Sequence, residues 1–146
     1  MSDINHQVGI KATPEAIYEL LTTNSGLSQW WTNDVSGAGS VGSIIKFRFN
    51  GGGPDFAVTQ LTPNKSVIWK HVGNIPEAWM GTNISFQLRV EGDQTFVRFT
   101  HSNWKEQSNF MAHCSTKWAV FLLSLKEVLE TDKGKPFPND IHIDHS

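Results

Sequence analysis

A chain of 146 residues with net charge −2 and a pI near 6.3 fits one domain and excludes an electrostatic case for nucleic acid or anionic lipid. Its one cysteine, Cys114, excludes an internal disulfide and suits a reducing compartment. With no apolar run near the roughly 20 residues of a membrane span and no signal core in MSDINHQVGI, a cytoplasmic protein is expected.

In chain order, Ile4, Val8 and Ile10 are the apolar members of a first strand over 4–11. Thr13-Pro14-Glu15 then opens a helix: Thr13 caps it, Pro14 suits the first helical position and Glu15 complements the positive dipole end. Ile17, Leu20 and Leu21 form its buried stripe, Asn24-Ser25-Gly26 breaks it, and Leu27 to Trp31 reads as a second short helix. Gly37-Ala38-Gly39-Ser40-Val41-Gly42 matches the dinucleotide fingerprint only in letters. A true fingerprint follows a strand and opens a helix, whereas this stretch opens a strand, so a connecting loop is expected. From Ser43 to Ser102 the pattern turns to period two. Strands over 43–49, 56–61, 67–72, 84–90 and 97–101 are separated by turn-forming stretches, with a loop over 73–82. Met111, Cys114, Trp118, Phe121, Leu122, Leu125 and Val128 then recur at helical spacing, predicting one amphipathic helix from Ser108 to about Thr131. At ~1.5 Å per residue that helix spans roughly 36 Å. Gly134 is expected to end it, and Lys135 to Ser146 to form a polar tail.

The order strand, two helices, five meander strands and one long helix predicts an α+β fold. A curved antiparallel sheet of about six strands wraps the C-terminal helix, with a single domain over 1–132 and a tail over 133–146. Six Trp and nine Phe against one Tyr mean that the interior is either densely aromatic or lines a hollow.

KATPEAIYELLT followed by LSQWW resembles the opening of the START-like, helix-grip (SRPBCC) superfamily, in the branch related to the activator of heat-shock-protein-90 ATPase. The Gly-rich loop leading into GSIIKFRF, the strand end TFVRFTHSNW and KWAVFLLSLKEVLE complete the resemblance over residues 5–131. It implies the helix-grip fold and one of three roles: binding of small hydrophobic molecules, cyclase- or hydrolase-like catalysis, or co-chaperone interaction. The eukaryotic co-chaperone resembles this chain in its C-terminal domain.

The alternation places Phe47, Phe49, Trp69, His71, Phe86, Phe99 and His101 on the buried sheet face, with Met111, Cys114 and Trp118 approaching from the helix. With Trp30 and Trp31 at the mouth, these are the candidate ligand-binding residues for a small hydrophobic molecule held between sheet and helix. The same rings read equally as plain core. His71 and His101 are the candidates for general acid or base, against the alternative of satisfied buried histidines. No catalytic residue is assigned: there is no nucleophile elbow, CxxC or HExxH, and an apolar helix face raises rather than lowers the Cys114 pKa. No cofactor and no metal site is expected; His142, Asp144 and His145 have ligand chemistry but sit on a polar terminus. His113 falls on the outer side of the helix, as a solvated residue. Ala112, Ala119, Val120 and Leu123 lie opposite the buried stripe, as a patch for the tail, the first strand or a homodimer.

Overall fold

A computed structural model describes residues 1–144. The elements are β1 (Ser2–Ile10), α1 (Pro14–Thr22), α2 (Asn24–Leu27), β2 (Asp34–Ser36), β3 (Ile44–Arg48), β4 (Asp55–Thr62), β5 (Ser66–Val72), β6 (Asn83–Glu91), β7 (Gln94–Trp104) and α3 (Asn109–Thr131). One 3₁₀ turn, Glu77–Trp79, interrupts the loop between β5 and β6. All seven strands form one sheet in the order β1-β7-β6-β5-β4-β3-β2, each pair antiparallel. The expected α+β helix-grip architecture is borne out, with seven strands rather than six. The additional strand, β2, pairs with β3 through Val35 and Phe47 and has only one apolar residue. Three residues are too few for a period to register.

Local chemistry explains the elements. The Thr13 hydroxyl accepts from Ala16 N at 3.2 Å, and Ser108 accepts from Met111 N at 3.1 Å, so both longer helices start on a side-chain cap. One boundary and one stop signal differ from the sequence expectation. Asn24-Ser25-Gly26 is itself the short helix, because Thr23 caps it by accepting from Gly26 N at 2.9 Å. Helix α3 ends at Thr131 because Asp132 takes the left-handed conformation (φ 63°), which a short polar side chain tolerates. Gly134 serves another purpose: a Cβ there would lie 2.4 Å from the Gln29 carbonyl. It lets the chain after α3 pass close to the turn that follows α2.

Helix α3 lies across the sheet with Trp118, Leu122 and Leu125 buried. Its other flank grips the free edge of β1. His6 Nε2–H donates to Ser115 O at 3.0 Å, and Lys126 Nζ donates to Gly9 O at 2.6 Å. The segment after α3 folds back onto the domain. Lys135 N donates to Ser124 Oγ at 2.8 Å, Phe137 N donates to Trp31 O at 2.7 Å, and Asn33 N donates to Phe137 O at 3.2 Å. Among the described residues no helix is long and apolar enough to cross a membrane.

Candidate functional site

The space between sheet and helix is filled at its centre. Trp30, Phe47, Trp69, Phe86 and Phe99 have at most 1% of their surface exposed. Trp31 joins them: its ring is 4.1 Å from Phe47 and 4.8 Å from Trp118, and it stacks parallel on Trp69 at 6.4 Å. Met111 is also buried. The opening lies to one side, as a cleft of about 450 Å³ against the N-terminal half of α3. Phe110, His113, Cys114, Lys117, Trp118 and Phe121 form its helical wall, Trp31 its floor. Phe49, Gly52, Gly53 and Pro54 face them from the β3–β4 turn, Pro76 and Trp79 from the β5–β6 loop. Phe137, Pro138, Asp140, His142 and Ile143 close the last side. Of the candidate ligand-binding residues, Trp31, Phe49, Cys114 and Trp118 therefore meet at this cleft. Trp30, Phe47, Trp69, His71, Phe86, Phe99, His101 and Met111 lie behind it.

Two features of the sequence build the walls. Asn50 and Gly51 both have positive φ (59° and 89°), the geometry of a tight two-residue hairpin turn, and Phe49 N donates to Gly52 O at 2.6 Å. That turn holds Phe49 upright, its ring 5.2 Å from Phe137. Lys117 Nζ pairs with the Asp140 carboxylate and donates to Ile141 O at 3.2 Å, fixing the tail to the helix. His113 is not on a solvated outer face: it lines the cleft, its ring 6.3 Å from Phe110. Stepping about 100° per residue from Trp118 puts His113, Lys117 and Phe110 on one flank of the apolar stripe. The cleft occupies that flank, not the stripe's centre.

A buried polar cluster backs the cleft. Trp118 Nε1–H donates to His101 Nδ1 at 3.1 Å, so the His101 proton sits on Nε2 and is donated to Thr82 Oγ1 at 2.9 Å. The Thr82 hydroxyl in turn donates to Trp79 O at 2.6 Å. Burial, with a smaller contribution from His71, pulls the His101 pKa down from 6.5 to about 3. His101 is thus neutral, fully enclosed and engaged at both nitrogens, and it offers a solute no proton at neutral pH. His71 donates from Nε2 to Ile75 O at 2.8 Å, and among the described residues its Nδ1 has no partner. Among the described residues the indole N–H groups of Trp79 and Trp104 are also buried without a partner. Burial pushes the Cys114 thiol up to about 11, partly offset by the Trp79 indole, so it remains protonated. Among the described residues no three His, Cys, Asp or Glu side chains converge as a metal site. Within the tail His142 Nε2 meets Asp144 Oδ1 at 2.9 Å, and His145 lies outside the described residues.

A curved antiparallel sheet gripping one long C-terminal helix, with an aromatic cleft beside that helix, defines a START-like helix-grip domain. Within that class the chain belongs to the Activator of Hsp90 ATPase homolog 1-like family, whose profile matches residues 11–130. The chain is 71% identical to Aha1 from Colwellia psychrerythraea, solved in solution as a dimer, with a TM-score of 0.86 over 92% of this chain and 100% of that one. A Mesorhizobium loti protein (19% identity, TM-score 0.79, 88% of this chain and 97% of that one) has the same fold. So does a Staphylococcus saprophyticus protein (17%, 0.76, 91% and 95%). No curated protein matches the chain.

Proposed function

We propose that the protein binds a small hydrophobic molecule in the cleft between α3, the β3–β4 turn and the C-terminal tail. The observation that carries this reading is the cleft itself: about 450 Å³, walled by Trp31, Phe49, Trp79, Phe110, Trp118, Phe121 and Phe137. That volume is typical of small-molecule sites, and most of the lining is apolar. Burying ~200 Å² of an apolar guest at ~25 cal/mol per Å² yields about 5 kcal/mol before association costs, enough for binding in a preformed cleft. The test is saturable quenching of tryptophan fluorescence by 2-naphthol, a two-ring probe that is uncharged at neutral pH and soluble to millimolar concentration. Phe137→Ala removes roughly 50 Å² of contact and is expected to weaken binding about tenfold. Absence of saturable quenching at millimolar probe would discard the reading. A co-chaperone-like module, the second reading, is favoured by the name of the family and of the Colwellia relative. It predicts Hsp90 binding that Phe137→Ala leaves unchanged.

A dimeric relative at 71% identity also supports pairing with a second copy. Leu123 is 55% exposed in the middle of α3, on the side carrying Ala112 and Val120, and is the residue for a partner helix to cover. Light scattering at micromolar concentration is expected to give twice 16.3 kDa, and Leu123→Glu to return the mass to that of one chain. A wild-type mass of one chain ends the idea.

A further inference from the structure

The chain after α3 is held by two ties of different kinds. Its root is fixed by backbone bonds and aromatic packing. Lys135 N donates to the buried Ser124 hydroxyl at 2.8 Å, Phe137 N donates to Trp31 O at 2.7 Å, and Phe137 O accepts from Asn33 N at 3.2 Å. The Phe137 ring lies 5.2 Å from that of Phe49. Undoing such a root exposes apolar surface and orphans amides.

The outer part, residues 139–144, is tied by charge. Asp140, its side chain only 5% exposed, pairs with Lys117 of α3, and the Lys117 ammonium also donates to Ile141 O at 3.2 Å. Around that tie little apolar surface is covered: Ile141 is exposed, and the exposed His142 and Asp144 side chains pair with each other. Yet Asp140, His142 and Ile143 wall the cleft. Parting Lys117 from Asp140 forfeits their attraction but returns both charges to water, so the two effects largely offset. A segment with few apolar contacts beyond a fixed root is where local opening is easiest. From these observations we infer that residues 139–144 form a strap that gates the cleft. It swings out about Phe137 when the Lys117–Asp140 pair parts, and closes over a guest when the pair re-forms. This rests on the ligand-binding reading above and adds how that site is entered.

Lys117→Met tests the gate on the full chain: it keeps an apolar stem beside Phe121 and leaves the Asp140 carboxylate to seek water. Cys114 supplies a readout that needs no guest, since this single cysteine lines the cleft and is 6% exposed. Its labelling at pH 8 by methyl methanethiosulfonate, a small uncharged thiol reagent, is expected to be about tenfold faster in Lys117→Met than in wild type. The sign is informative. Losing a cation from the cleft wall favours the protonated thiol and by itself slows the reaction, so a faster rate reports a wider opening. The second readout is stopped-flow release of 2-naphthol at pH 7. Release is expected to be about tenfold faster in Lys117→Met, and also in Asp140→Asn, which weakens the same pair from the strap side. Asp140→Asn leaves α3 unaltered and carries the test should Lys117→Met fail to fold. Labelling of Lys117→Met at or below the wild-type rate overturns opening at this pair. Unchanged 2-naphthol release from Asp140→Asn overturns the gate by itself. Faster labelling together with no 2-naphthol binding by wild type removes the ligand reading, while the opening of the strap stands.

Discussion

Trp118→Ala is expected to lower unfolding stability by about 5 kcal/mol, against the 5–15 kcal/mol on which a domain of this kind stands. Two losses combine. The ring is 2% exposed, 4.5 Å from Phe99 and 4.8 Å from Trp31, so truncation leaves a cavity where helix, sheet and floor meet. A large-to-small change of this kind costs about 3–5 kcal/mol. Truncation also strips His101 Nδ1 of its donor, and a buried acceptor left bare adds about 1–3 kcal/mol. Trp118→Phe separates the two: it refills most of the volume and loses only the donor, so about 1–3 kcal/mol is expected. Urea unfolding of the three proteins at pH 7 measures both steps. If Trp118→Ala costs less than about 2 kcal/mol, α3 does not anchor this core.

The same residue shows what a sequence pattern conveys. A 3.6-residue period identifies the buried stripe of α3, and a period of two identifies the inner face of the sheet. Both follow from solvent exclusion, which acts on every turn and every second residue. Phe47 and Phe99 share the interior as their alternation requires. A cleft has no such period. It opens where neighbouring elements fail to cover the helix flank, and that depends on the Asn50-Gly51 turn and the path of the tail. His113, Lys117 and Phe110 gain their positions from that path, so a helical wheel alone places His113 in solvent. The signal for the tail's docking is Phe137, an aromatic residue between two prolines in a mostly polar stretch. Its partner, Phe49, is about ninety residues away, and no local pattern joins them.

His101 links this packing to pH. Its folded-state pKa is about 3 against an ordinary value of 6.5, so between those values the unfolded chain binds a proton that the native protein excludes. The stability from this group is complete above about pH 6.5, falls by about 1.4 kcal/mol per unit on acidification, and falls no further below about pH 3. From pH 7 to pH 5 the loss attributable to His101 is about 2 kcal/mol. His101→Gln is the informative variant, because an amide can accept from Trp118 and donate to Thr82 without titrating. It is expected to be less stable than wild type at pH 7 yet to lose about 2 kcal/mol less on going to pH 5. Groups remote from position 101 are common to both proteins and cancel in the difference. Parallel acid slopes for wild type and His101→Gln would mean that the native state admits the proton. The Trp118–His101–Thr82 chain would then be open to water, and the wall behind the cleft would not be closed.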